Sequence, residues 1–250
     1  MNLTSLHKLF LFAVILFYIP ACSSGDDASD AETKREINSS LFLLSKGLKT
    51  DALKGELLKL LEKDASMYSV AVVVNASSTE KKKRKKTRKI KLQFHELGFD
   101  SSRVEMFDLM TRNSNELKNF DIIYILGGNP FLLLDQVNKS GSRDLLYELA
   151  YQNKILMGYS AGALLLGPDL SLMNSADSLL GFNELGLQEL DCIGLYDFYI
   201  FPHYDDFTAQ APELITVIND FESGSKLPVQ RLNDDQGIIF QNGKMRIIGK

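Results

Sequence analysis

The stretch Lys154-Ile155-Leu156-Met157-Gly158-Tyr159-Ser160-Ala161-Gly162-Ala163-Leu164-Leu165-Leu166 decides the fold. Lys154–Tyr159 reads as an apolar strand and Ala161–Leu166 as the start of a helix. Their join, Gly158-Tyr159-Ser160-Ala161-Gly162, puts a hydroxyl between small residues. A nucleophile on a sharp strand-to-helix turn sits in strained backbone, and small neighbours keep that turn clear of adjacent chain. The turn also aims backbone N–H groups and the positive helix end at the place where an oxyanion would develop. Plain packing at such a junction can give the same pentapeptide, so the rest of the chain has to decide.

Outward from this turn, short apolar strands alternate with helical stretches. Upstream, Leu41–Ser45 reads as a strand, and Asp51–Glu62 places Leu53, Leu57, Leu58, Leu60 and Leu61 at helical spacing. Ser69–Asn75 and Asp121–Leu126 are nearly unbroken apolar runs, the pattern of strands buried on both faces of a parallel sheet. Val104–Leu109 is a further strand, and Glu80–Leu97, Pro130–Val137 and Arg143–Gln152 read as helices. This order predicts an α/β fold, a doubly wound and mostly parallel sheet. Downstream come a strand at Leu195–Phe201 and a helix near Pro212–Phe221. Leu227–Leu232, Gly237–Gln241 and Lys244–Ile248, with Asn242-Gly243 as a two-residue turn, then suggest a small antiparallel C-terminal edge.

The composition agrees with one globular domain. The 250 residues are 45% hydrophobic and 24% charged, with 17 Gly, 6 Pro and 2 Cys. That balance excludes collagen-like, low-complexity and disulfide-framework chains, and no apolar run reaches the roughly 18–20 residues that cross a bilayer. The net charge of −4 is unevenly spread: nine of the 28 basic residues lie between Lys81 and Lys91, leaving 19 basic against 32 acidic elsewhere. The run Lys81-Lys82-Lys83-Arg84-Lys85-Lys86 has no interleaved aromatics, so it reads as a solvated helix face near anionic lipid and no nucleic-acid partner is expected.

The first residues read as a processing signal. Lys8 precedes the 13-residue apolar run Leu9–Ala21, which fits a signal h-region of about 7–15 residues. The run ends at Ile19-Pro20-Ala21-Cys22, which resembles a bacterial lipoprotein signal with Pro20 as a departure from its usual pattern. Cleavage before Cys22 would leave that cysteine lipid-modified. Residues 1–21 are then the signal, 22–37 a flexible acidic tether and 38–250 the catalytic domain, extracytoplasmic and membrane-anchored through Cys22. A plain secretory signal, or a cytoplasmic chain, is the alternative.

The three histidines narrow the chemistry. A serine hydroxyl needs a base; His7 lies in the signal, His95 on the basic helix, and only His203, in Phe201-Pro202-His203-Tyr204, follows the turn at a strand end. A structural histidine there is the bland alternative. Gly127-Gly128-Asn129-Pro130-Phe131 also follows an apolar strand, and its glycines let backbone amides approach a ligand closely.

Together, Ile125-Leu126-Gly127-Gly128-Asn129, Gly158-Tyr159-Ser160-Ala161-Gly162-Ala163 and Pro202-His203-Tyr204 resemble the peptidase E and cyanophycinase family of serine peptidases. The resemblance runs from about Leu41 to the C-terminus. It implies the class I glutamine-amidotransferase-like (flavodoxin-like) fold and a Ser–His–acid triad cleaving after aspartate. The substrate would be an Asp-Xaa dipeptide in one branch, or an Asp-rich polymer in the other. By motif match Ser160 is the nucleophile and His203 the base, with the Gly128 and Ala161 amides as oxyanion hole. Gly127, Asn129 and Tyr159 are substrate-binding candidates, and Tyr159 stands where relatives carry Trp or Glu. The acid is left open between Asp234, which is favoured, and Asp177, two residues beyond Ser175 at the spacing of one family candidate.

Neither cofactor nor metal is expected, and the expected partner is a small acidic peptide. An α/β-hydrolase shares the turn but places its histidine much further on than the 43 positions separating Ser160 from His203. Amidotransferase chemistry needs a thiolate, and Cys192 sits in no such turn. A catalytically silent lipoprotein that binds acidic peptides is the non-enzymatic alternative.

Overall fold

The computed structural model describes residues 39–241 and 244–249. The signal, Cys22, the tether and the Asn242-Gly243 turn therefore lie outside the described residues.

Nine strands run in chain order as β1 (Ser40–Leu44), β2 (Val70–Val73), β3 (Val104–Phe107), β4 (Ile122–Ile125), β5 (Ile155–Tyr159), β6 (Tyr199–Pro202), β7 (Val229–Leu232), β8 (Gly237–Gln241) and β9 (Lys244–Ile248). Seven form one sheet in the order β3-β2-β4-β5-β1-β8-β9. Its first five members are parallel, whereas β8 pairs antiparallel with β1, and β9 antiparallel with β8. This is the doubly wound α/β sheet expected, with its antiparallel edge.

Each parallel strand alternates its side chains between two cores, which is why the runs are apolar throughout. Leu41, Leu43, Val73, Ile123 and Leu156 face one side, where α3 (Pro130–Ser140), α4 (Arg143–Leu149) and α5 (Ala161–Leu166) pack. Phe42, Leu44, Val72, Tyr124 and Met157 face the other, under α1 (Asp51–Lys59) and α2 (Glu80–Glu96). On α2 only Thr87, Ile90 and Phe94 are buried, so most of its charge points to solvent. The helix α3 starts on Asn129, whose side chain accepts from Leu132 N–H at 3.0 Å, and ends on Gly141 in the left-handed region. Short helices α6 (Ser171–Ser175) and α7 (Asp177–Leu180) follow α5, and α8 (Tyr204–Gln210) and α9 (Leu214–Gly224) lie between β6 and β7.

Two expectations need correction here. The strand before His203 does not join the main sheet: β6 pairs parallel with β7 as a separate two-stranded sheet, Pro202 opposite Leu232. For the same reason Val229–Leu232 is no part of the antiparallel edge. Pro202 has no N–H to offer a ladder, which suits a short strand at a sheet margin.

The elbow is closed by backbone contact. A Cβ on Gly158 would fall 2.4 Å from the Gly162 carbonyl carbon, and one on Gly162 would fall 2.0 Å from Ile125 O. Helix propensity alone favours Ala over Gly by about 1 kcal/mol inside a helix. Here the opposing atom is backbone and cannot swing aside, so Gly162→Ala is expected to destabilise by about 1–3 kcal/mol in urea denaturation. A stabilised variant would show that α5 does not press on β4.

Candidate active site

The position of Ser160 is set from both sides of the strand–helix turn. Ser160 has φ 50° and ψ −120°, and its N–H donates to Leu44 O at 2.9 Å. Only three non-glycine residues among those described have left-handed φ, namely Asn153, Ser160 and His203. Such backbone costs free energy and persists where its surroundings hold it. Two of the three stand at the carboxyl ends of strands, where sites assemble in open α/β sheets. Among the described residues the Ser160 hydroxyl forms no hydrogen bond.

His203, at φ 55°, donates its N–H to Ser45 Oγ at 2.8 Å. Its ring stands edge-on to Phe207, 5.4 Å between centroids, and its Nδ1 lies 2.7 Å from Asp234 Oδ1. Asp234 is buried, 3% exposed. Burial pushes its carboxyl up, but hydrogen bonds from the Lys46 ammonium and the His203 ring outweigh that and hold it down, to about 2. An ionised carboxylate only accepts, so Nδ1 carries the hydrogen and Nε2 keeps its lone pair free. That is the tautomer a general base needs.

The carboxylate's second oxygen, Oδ2, receives the Lys46 ammonium and, at 3.4 Å, that of Lys49. Lys46 also donates to Asp206 at 3.0 Å. Ser45 is fully buried and also donates its hydroxyl to Leu232 O at 3.2 Å, clasping the ends of β6 and β7 at once. Ser45, Lys46 and Lys49 were not among the sequence candidates. The signal available was their position directly after β1, at the sheet edge where the other candidates gather.

The glycine loop lies against Ser160. A Cβ on Gly127 would sit 2.9 Å from Ser160 Cβ and 2.6 Å from the Tyr159 ring. Gly128 has φ 153°, and a Cβ there would fall 2.1 Å from Ala76 O. The N–H groups of Gly128 and Ala161 form no hydrogen bond among the described residues. Tyr159 packs on Tyr124, 5.9 Å between ring centroids, and burial pushes its phenol up.

Two candidates are otherwise engaged. Asp177 does not meet His203; its Oδ1 accepts from Phe182 and Asn183 N–H at 2.7 and 2.8 Å and shapes the loop after α7. Asn129 caps α3 and donates to Phe182 O at 2.7 Å, so both ends of its side chain are spent on structure. Ser175 donates to Leu172 O. Burial pushes the Cys192 thiol up, which leaves it a poor nucleophile. No group of three or more His, Cys, Asp or Glu among the described residues converges as metal ligands would, and no described helix is long and apolar enough to cross a membrane.

The model of Peptidase family S51 matches residues 41–248. The chain belongs to this family, the peptidase E family. It is 28% identical over 145 residues to an uncharacterized peptidase of Pasteurella multocida, a match covering 56% of this chain and 67% of that one. To an uncharacterized peptidase of Listeria monocytogenes it is 33% identical over 107 residues, covering 41% of this chain and about half (51%) of the relative. Two crystal structures share the fold. A candidate peptidase E protein from Listeria monocytogenes EGD-e superposes with TM-score 0.65 at 21% identity, covering 84% of this chain and 97% of that one. A peptidase from an acI-B1 Actinobacterium does so with TM-score 0.58 at 18% identity, covering 85% and 88%.

Two outcomes follow from the polar ties in this S51 protein. Asp234 is more acidic folded than the roughly 4 of an unfolded Asp, so its contribution is present above that value and lost as pH falls toward 2. Lys46→Met removes a cause of the depression and brings the folded value closer to the unfolded one. The variant should therefore be less stable at neutral pH, and its acid loss of stability, followed by urea denaturation against pH, should be smaller and end at higher pH than in the wild type. An unmoved profile would mean that Lys46 does not act on Asp234. Ser45→Ala leaves the His203 N–H and the Leu232 carbonyl without their partner and should cost about 1–3 kcal/mol, read as a lower midpoint in the same assay; an unchanged midpoint would deny the clasp.

Proposed function

We propose that this S51 peptidase is a serine enzyme with Ser160 as nucleophile, His203 as general base and Asp234 as the acid that orients the ring. The observation that carries the reading is the shared anchor: Ser160 N–H bonds Leu44 O, and His203 N–H bonds the hydroxyl of the next residue, Ser45. In this reading Ser160 Oγ attacks the scissile carbonyl carbon while His203 Nε2 takes its proton. The oxyanion that forms is met by the Gly128 and Ala161 N–H groups. His203 then passes the proton to the leaving amine, the C–N bond breaks, and an acyl-enzyme remains. Water, deprotonated by the same ring, releases the acid product and restores the serine. Throughout, Asp234 stays ionised and stabilises the imidazolium.

The substrate we assign is a short peptide cleaved on the carboxyl side of aspartate, an Asp-Xaa dipeptide in the simplest case. Family membership and the cationic groups around the site support this. The reading of residues 1–37 puts the enzyme outside the cytoplasm, held to a membrane through Cys22.

The test is hydrolysis of Asp-Leu by the full chain beside Ser160→Ala and His203→Ala. Wild-type turnover should fall by several powers of ten in each variant, as for other triad members, with the thermal midpoint nearly unchanged in Ser160→Ala. Full activity in Ser160→Ala would overturn the mechanism. Cleavage of Leu-Leu as fast as Asp-Leu would overturn the substrate assignment.

A further inference from the structure

A recess of about 200 Å³ lies between the loop after β1 and α2, with Tyr159, the residue before Ser160, in its wall. Four ammonium-bearing side chains line it, Lys46, Lys49, Lys86 and Lys89, together with the Tyr124 and Tyr159 rings; no carboxylate does. Lys46 and Lys49 face Asp234, but Lys86 and Lys89 have no ion pair among the described residues. Lys86 reaches inward and donates to Gly127 O at 2.6 Å. Burial, and then the nearby Lys82 charge, hold its pKa below the ordinary lysine range. A half-buried cation without a counter-ion is costly unless something negative joins it.

A second, independent observation concerns the recess wall. The Tyr124 hydroxyl is fully buried and is the one buried side-chain polar atom among the described residues that lacks a hydrogen-bond partner. Buried hydroxyls are nearly always satisfied, so an orphan donor at a cationic recess marks a place for an acceptor. Two chain neighbours tie the recess to the candidate site. Tyr159 immediately precedes Ser160, and Gly127, which Lys86 grips, adjoins the Gly128 amide.

We infer that this recess is a subsite for a carboxylate of the peptide being cleaved, with Lys86 and Lys89 as its specificity-determining cations. The inference rests on the serine peptidase reading for what occupies the site. Peptides carry their negative charge as carboxylates, and a space of this size admits a side-chain-sized group and not an extended chain. Two carboxylates qualify, an acidic side chain or the free C-terminus of a dipeptide. Lysine suits either, because its ammonium is a mobile point charge with three donors and imposes no bidentate geometry.

The experiment separates this inference from the function it rests on. Succinate, a small dicarboxylate, is titrated calorimetrically into the full chain carrying Ser160→Ala. Binding should weaken by about tenfold or more on Lys86→Met or Lys89→Met, the loss of one charge-assisted hydrogen bond. Lys85→Met, on the exposed face of α2, should leave it unchanged. Lys89 is exposed, so its variant tests the subsite even if Lys86→Met disturbs the glycine loop. Absence of succinate binding, or equal binding in all variants, would overturn the subsite whatever the peptide turnover. Lysine-dependent succinate binding without turnover of any peptide would keep the subsite and reject the peptidase mechanism. The Lys89→Met KM for Asp-Leu, Asp-Leu amide and Asn-Leu names the source. A rise for the two Asp peptides only means the side chain, and a rise for the two free acids only means the C-terminus. No rise for any of them overturns the inference.

Discussion

The carboxyl end of β1 holds the site together. Leu44 O takes the Ser160 N–H, and one residue later the buried Ser45 hydroxyl takes the His203 N–H and gives its hydrogen to Leu232 O. Ser160 follows β5 of the main sheet, whereas His203 and Asp234 follow β6 and β7, which share no ladder with it. A two-stranded sheet is marginal by itself. Its placement beside the nucleophile therefore depends on this hydroxyl, on the four residues 233–236 that lead from β7 into β8, and on packing. The serine mechanism proposed above tolerates little displacement, so within it one buried serine that takes no chemical step governs whether the others can act.

Charge at the site is arranged so that one group is fixed and its neighbours stay open. Asp234 is saturated on both oxygens, by His203 on Oδ1 and by Lys46 and Lys49 on Oδ2. A different buried acid at the same edge shows the contrast. Asp108, after β3, meets Lys83 at 2.5 Å and Asn75 at 2.9 Å, and Asn75 in turn bonds Gln136 at 2.7 Å. Both oxygens of that carboxylate and both ends of the Asn75 amide are engaged, and the network ties the ends of β2 and β3 together. Around Asp234 the closure stops at the ring: Nε2 and the Ser160 hydroxyl remain available. Both clusters contain a depressed aspartate, so the depression alone does not distinguish machinery from scaffold. The open ends do.

What could be read from the sequence was whatever depends on local pattern. The unbroken apolar runs gave the central strands because burial on both faces leaves no room for polar alternation. The Gly158–Gly162 spacing gave the elbow because backbone contact forbids a Cβ at either end. Beyond that, long-range closure decided. Nothing local distinguishes Asp177 from Asp234, since each is a short acid near a turn, and only the pairing of Pro202 with Leu232 brings the second to His203. Pairing partners of short strands such as β6 and β7 are likewise not encoded in four residues apiece. Asn129 misled for a physical reason: the residue best placed to meet a ligand after a glycine loop is also the residue type that best caps the next helix. Lys46 and Lys49 were invisible because ammonium groups on long stems act at a distance that sequence spacing does not measure.

The basic helix is the remaining step. Read alone, α2 is a solvated face, and most of its charge is exposed. Yet the arrangement costs helix stability. Cations in the first turns oppose the helix dipole, and the i,i+4 pairs Lys81–Lys85, Lys82–Lys86 and Lys85–Lys89 repel, each by a few tenths of a kcal/mol, of order 1 kcal/mol in sum. Solubility would be served equally by mixed signs, which add attraction, as the single Arg84–Glu80 pair does. Two half-buried positions and one at the recess rim account for part of the excess: Lys83 neutralises Asp108, Lys86 grips Gly127 O, and the exposed Lys89 lines the recess with Lys86. Because α2 follows β2, its first turns lie at the carboxyl edge of the sheet, where Ser160 also stands. The stripe thus places positive potential at the carboxyl edge of the sheet, the edge on which Ser160 stands.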